Sequence, residues 1–273
     1  DLYYSEKRLI ILKMLDTGLD DLQSTVAARL TSGSARPSAA LEPDQMRAQA
    51  ADRRSELVAA AAKARASLAR FTGDPNPIVT GLPPTPKVDR AQLTANIAQL
   101  PTLRAYDAQS IAADADTRLA SADKRPDWAI SASYDRREPN FGDLVSVGVS
   151  IDLPFFAKRR QNPRISARAF EADRVRFDRQ AAEREMIAAL DGDLAEHDAH
   201  HARLDNARTV LVPLARRRAE LDRESYSVGA VDLGAALLSS LALAEAEIDE
   251  LAREAEVARD AIRITITYGE DGE

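Results

Sequence analysis

The sequence predicts a mainly α chain of long antiparallel coiled-coil helices carrying one amphipathic β-hairpin. Three observations lead there. Leucines and alanines recur at alternating steps of three and four over several long stretches, the seam pattern of a coiled coil. In one short region the period changes to two, the pattern of strands. The same helical layout also occurs twice along the chain.

The first segment, Leu2 to Leu30, places Leu12, Leu15, Leu19, Leu22 and Val26 on one seam. Thr31–Ser38, with Gly33 and Pro37, breaks it. A second helix, very rich in alanine, runs from Pro43 to Phe71 and stops at Gly73-Asp74-Pro75-Asn76-Pro77. Together they predict a helical hairpin over 1–73. Residues 74–89 contain Pro75, Pro77, Pro83, Pro84 and Pro86, too rigid and too short of N–H donors for helix or central strand. Residues 90–127 return to the helical period, interrupted at Pro101, with Leu93, Ile97 and Leu100 before it and Leu103 and Tyr106 after it.

Over 128–154 the period is two. Trp128, Ile130, Ala132 and Tyr134 alternate with small or polar residues, as do Val145, Val147, Val149, Ile151 and Leu153. Strands of about nine or ten residues match a tilted crossing of a bilayer. The same alternation fits an ordinary soluble amphipathic hairpin. From 155 to 273 the helical period resumes. One very long helix runs from Pro163 to Tyr226, with a kink expected at Pro213 and a seam of Leu204, Ala207, Leu211, Leu214 and Leu221. After Gly229 a last helix, Leu233 to Ile266, carries Leu237, Leu241, Ala244, Ile248, Leu251, Ala255, Ala258 and Ile262.

Gly33 and Gly229 lie 196 residues apart, as do Gly73 and Gly269. The chain opens at Asp1–Glu6 already in helical pattern. By the repeat, a first strand hairpin and its helices are expected to precede residue 1, so the chain is expected to be a piece lacking its N-terminal part.

Composition narrows the function classes. A net charge of −7 argues against a nucleic-acid partner, which needs a concentrated basic surface. The clusters Lys158-Arg159-Arg160 and Arg216-Arg217-Arg218 read as solvated surface. There is no cysteine, hence no disulfide, thiolate site or cysteine nucleophile. No stretch of eighteen apolar residues predicts a transmembrane helix. No nucleophile motif or phosphate loop stands in strand–turn–helix context, so neither an enzyme nor a cofactor is expected.

The three histidines sit together in His197-Asp198-Ala199-His200-His201. His197 and His201 are i, i+4, a spacing that chelates Zn or Cu, and Asp193 is one turn earlier as a third candidate ligand. The competing reading is a polar helix surface. No confident metal site follows.

On its motifs the chain resembles the TolC-like outer-membrane factors, within them the heavy-metal (cation-efflux, CzcC/CusC-like) branch. The residues that carry this are Val147–Phe156 followed by Asn162-Pro163, the tip Tyr226-Ser227-Val228-Gly229-Ala230, and Leu103-Arg104-Ala105 with Arg125-Pro126-Asp127. The resemblance implies a trimeric tube: an α-barrel of helices in the periplasm and strands in one outer-membrane β-barrel. It implies a passive exit duct for heavy-metal cations, working with a periplasmic adaptor protein and an inner-membrane pump. It makes Val228, Gly229 and Ala230 at one tip, and Gly33 and Ser34 at the other, candidate adaptor contacts. The same glycines also serve simply to turn the chain. Val145, Val147, Val149 and Ile151 become the lipid-facing strand. The chain departs from the family in lacking a carboxylate over Gly234–Ser240, Asp232 being the nearest acid. The rival reading is a soluble periplasmic coiled-coil scaffold whose hairpin packs on protein.

Overall fold

The computed structural model describes residues 1–31, 36–137, 140, 142–153 and 155–269. Its elements are α1 (Leu2–Thr31), a 3-10 turn (Pro37–Leu41), α2 (Glu42–Thr72), α3 (Arg90–Asn96), a second 3-10 turn (Ile97–Gln99), α4 (Pro101–Ala122), β1 (Asp127–Asp135), β2 (Leu144–Asp152), α5 (Gln161–Asn206), a π-helical turn (Ala207–Leu211), α6 (Val212–Ser227) and α7 (Leu233–Tyr268). They form two compact units, one of residues 1–90 with 191–267, the other of 91–190 with 268–273.

The first unit packs two helical hairpins around one core. The seam read from α1 is the buried one: Leu12, Leu15, Leu19, Leu22 and Val26 join Met46, Ala50 and Leu57 of α2, Tyr226 of α6, and Leu233, Ala236, Leu237, Ala244 and Ile248 of α7. Burying a leucine side chain contributes about 1.5–3 kcal/mol, so this seam accounts for much of the unit's cohesion. The direction of pairing is legible from the charges. Asp20 meets Arg47, Asp16 meets Arg54 and Glu6 meets Arg65, so α1 and α2 run antiparallel. Arg216 meets Glu247, Arg208 meets Glu250 and Glu254, and Arg203 meets Glu256, giving the same sense to the second hairpin. These exposed pairs set register more than stability, being worth about 0–1 kcal/mol each. Residues 74–89 form neither helix nor strand, as the prolines require.

The long second-repeat helix corrects one expectation. Its seam is not Leu204, Ala207, Leu211, Leu214 and Leu221 throughout. Leu204 and Ala207 are buried, but Leu211, Leu214 and Leu221 are exposed, and Val212, Ala219 and Tyr226 are buried in their place. The cause is the π-helical turn at 207–211, in which the Val212 N–H donates to the Ala207 carbonyl. One extra residue is absorbed there, and the apolar face moves on by one position. Pro213 explains the location. It has no N–H for the carbonyl of Thr209, and its ring would crowd that carbonyl in a regular α-helix. The widened turn relieves this, so the proline is accommodated without ending the helix.

In the second unit α4 and the first half of α5 run antiparallel, stitched by Arg164–Asp123 (3.1 Å), Arg168–Asp116 (3.7 Å), Arg176–Asp114 (2.6 Å) and Arg179–Asp107 (2.6 Å). Leu93, Ile97, Leu100 and Leu103 are buried around Pro101, which opens α4 at its first position, where no intrahelical N–H is needed. The hairpin β1–β2 lies between α4 and α5 in sequence and forms a two-stranded antiparallel sheet.

Candidate functional site: the strand hairpin and the helical tip

The hairpin pairs Trp128 with Ile151, Ile130 with Val149, Ala132 with Val147 and Tyr134 with Val145. Since side chains alternate across a strand, these eight share one face. The other face carries Ala129, Ser131 and Ser133 against Ser150, Gly148 and Ser146. Gly148 suits its place, because a Cβ there would stand 2.9 Å from Ser131 Oγ. Every residue of both strands is exposed, Ile130 at 79% and Val147 at 73%.

A two-stranded hairpin is at best marginally stable in water, and this one has a bare face of large apolar side chains. Covering each of Ile130, Val147, Val149 and Ile151 would contribute about 1.5–3 kcal/mol. Such a face calls for an apolar neighbour outside the chain's own second unit. At the loop end Tyr134 Oη donates to the Asp143 carboxylate, tying the last rungs to the loop.

At the other end of the hairpin the chain turns sharply. The Phe155 N–H donates to the Leu153 carbonyl, and Phe156 adopts a left-handed φ of 63°. That conformation costs a non-glycine residue roughly 1–2 kcal/mol, and both phenyl rings are exposed.

The second-repeat tip is a complete helix stop. Gly229 has φ +78°, its N–H donates to the Tyr226 carbonyl, and the Ala230 N–H donates to the Ser225 carbonyl, the two bonds of a Schellman motif. Asp232 then caps α7, its Oδ1 accepting from the Ala235 N–H at 2.9 Å. Val228, Gly229 and Ala230 are all exposed. Gly33 and Ser34 lie outside the described residues.

Sequence reasoning missed the acid beside this tip. A Cβ on Gly234 would lie 3.4 Å from Glu42 Oε2, so the start of α2 stands against the start of α7. Burial, then the nearby Asp232 carboxylate, pushes the Glu42 carboxyl above its ordinary value. No pattern in the sequence links positions 42 and 234. Only the packing of one hairpin on the other does.

The histidine cluster is partly buried between α5 and α7. His197 and His201 meet edge to face with centroids 4.6 Å apart, and both line a cavity of about 510 Å³ beneath the Pro-rich segment, with Tyr4, Lys87 and Glu254. Burial, then His201, lowers the His197 pKa below its ordinary value. His200 Nδ1 lies 2.6 Å from Asp260. Asp193 is held by Arg263 at 2.6 Å. Among the described residues no three His, Cys, Asp or Glu side chains gather as a metal cluster. Nor, among them, is any helix long and apolar enough to cross a membrane.

No family model matches the chain, and no curated protein matches its sequence. Solved structures do. CusC, studied for conformational changes accompanying folding and transmembrane channel formation, superposes with a TM-score of 0.83 over 98% of this chain and 66% of its own, at 13% identity. The chain has the fold of an outer-membrane channel protein. The outer-membrane channel OprN gives 0.78 over 98% and 63%, at 20% identity. The Campylobacter jejuni CmeC outer membrane channel gives 0.72 over 98% and 60%, at 13% identity. The chain therefore spans between 60% and 66% of these three. At such identities the likeness is one of fold.

Proposed function

We propose that the chain is the outer-membrane channel component of a tripartite efflux system, a passive duct rather than an enzyme. The observation that carries this is the hairpin: two nine-residue strands, wholly exposed, with one continuous apolar face and one small polar face. A barrel wall needs that division, lipid on one side and water on the other. In this reading Val145, Val147, Val149 and Ile151 face lipid, Ser131, Ser146 and Ser150 face the lumen, and the long helices form the periplasmic duct. Assembly as a homotrimer is supported by the bare apolar side chains on the flanking helices, Ile111 and Leu119 of α4 and Phe170 and Phe177 of α5. The adaptor protein docks on the tip at Val228, Gly229 and Ala230, and on Gly33 and Ser34, with an inner-membrane pump supplying energy and selectivity. Heavy-metal cations as cargo rest on the likeness of Val147–Phe156 and the tip to the cation-efflux branch.

Planar-bilayer conductance of the intact protein, with cross-linking to count subunits, tests the proposal. Steady pores from a trimer support it. A soluble, non-inserting protein contradicts it and favours a scaffold whose hairpin face packs on another protein. Metal accumulation in cells lacking the protein, restored by its return, tests the cargo.

A further inference from the structure

The arginines of this chain are mostly spoken for. Even the run Arg216-Arg217-Arg218 has a carboxylate for each member, Glu247, Glu220 and Asp222. The hairpin base is different. Lys124 and Arg125 leave α4, and Lys158, Arg159 and Arg160 enter α5, all five exposed and, among the described residues, in no salt bridge. The pairing of Asp127 with Asp152 brings the two runs to the same end of the hairpin. Those two aspartates leave the base with an excess of three positive charges, since Asp123 is taken by Arg164.

The local electrostatics of this cluster are unfavourable within the chain itself. A helix N-terminus carries a partial positive charge and favours anions. The first turn of α5 has no acidic residue, and Lys158, Arg159 and Arg160 directly precede it. Among the described residues no carboxylate forms a salt bridge with these three cations. Beside the cations along the chain stand Phe155 (67% exposed), Phe156 (76%), whose backbone is left-handed, and Trp128 (69%). Aromatic rings next to cations at the edge of an apolar strand face match the boundary where hydrocarbon gives way to headgroups.

We propose that the hairpin base is a docking collar for the anionic phospholipid headgroups of a membrane surface, with Lys158, Arg159 and Arg160 contacting phosphates and Phe155 and Phe156 seated among the glycerol and upper acyl groups. This rests on the reading that the hairpin enters a membrane, and it adds which lipid chemistry the base selects and on which side of the apolar band. A phosphate contact at this place relieves the charge repulsion at the start of α5, so lipid and fold support each other.

The test is flotation of the full chain with vesicles of phosphatidylcholine alone and of phosphatidylcholine with a quarter phosphatidylglycerol. Wild type is expected to bind the anionic vesicles more tightly. The triple variant K158Q/R159Q/R160Q is expected to lose about tenfold or more of that binding while keeping its binding to neutral vesicles. Half-molar salt should weaken only the anionic arm, and 10 mM inorganic phosphate should leave it unchanged, separating a surface from a lone phosphate site. Equal binding of wild type and the triple variant to anionic vesicles overturns the collar while leaving membrane insertion standing. Loss of the anionic arm to free phosphate also overturns it. Failure of wild type to bind either vesicle overturns the membrane reading and the collar with it. Circular dichroism of the triple variant, expected to match wild type, keeps a folding defect from imitating the result.

Discussion

Replacing Leu214 by alanine should cost almost nothing, although the heptad pattern places it in the core. The side chain is 64% exposed, so the change removes little buried surface, and surface substitutions stay within about 0.5 kcal/mol. Val212, two residues earlier, is 5% exposed. Val212→Ala removes two buried carbons at about 0.8 kcal/mol each and leaves a small void, partly offset by alanine's better helix propensity, for a net cost of about 1.5–2 kcal/mol. Tyr226→Ala empties a larger site in the central core and should cost about 3 kcal/mol or more. The ranking follows from the π-helical turn at 207–211, which moves the seam on by one residue. A continuous heptad predicts the reverse, a loss of about 2–5 kcal/mol for Leu214→Ala. Urea unfolding followed by circular dichroism at 222 nm decides it, run at two protein concentrations to separate any contribution from assembly. A midpoint for Leu214→Ala as low as that for Val212→Ala would show the phase shift to be wrong.

Other outcomes follow from single features. Gly229→Ala places a side chain at φ +78° and should cost about 1 kcal/mol, whereas Gly192→Ala, mid-helix with open space for its Cβ, should gain up to about 1 kcal/mol; both are read from thermal or urea unfolding. Val147→Asp or Val149→Lys should reduce vesicle insertion, a charge on a lipid face costing roughly 2–4 kcal/mol at midplane for a basic residue and less for an acid, while Ser146→Asp on the polar face should be tolerated. His197 binds its proton more weakly folded than unfolded, so the unfolded chain takes up more protons as pH falls below the ordinary 6.5. Its contribution to stability is therefore present above that value and is lost as pH drops through the window between 6.5 and the lowered folded value. His197→Leu should flatten that part of the pH–stability curve.

The helices were legible because long seams leave redundant marks. Leu12, Leu15, Leu19, Leu22 and Val26 agree on one face, and so do Leu237, Ala244 and Ile248, so errors at single positions do not matter. The strands were legible from four apolar positions at every second residue in each, and the observed register pairs apolar with apolar. Two things were not legible. A π-helical turn has no composition of its own, and the only sign of it was Pro213, which equally announces a kink. The approach of Glu42 to Gly234 depends on how two hairpins pack, which no local pattern encodes. For the histidines, spacing alone offered Asp193 as a third ligand, whereas its carboxylate pairs with Arg263 on another helix. The charge runs looked alike in sequence, and only the structure separates Arg216–Arg218, each paired, from Lys158–Arg160, which form no salt bridge among the described residues.

The central claim is that the hairpin's apolar face meets lipid, and the chain has a single tryptophan, Trp128, on that face. The most direct measurement is Trp128 fluorescence in vesicles containing brominated lipids. A blue-shifted emission is expected, quenched by brominated acyl chains and not by aqueous iodide. Emission that stays at the wavelength of water-exposed indole, quenched by iodide and indifferent to bromine, would contradict it.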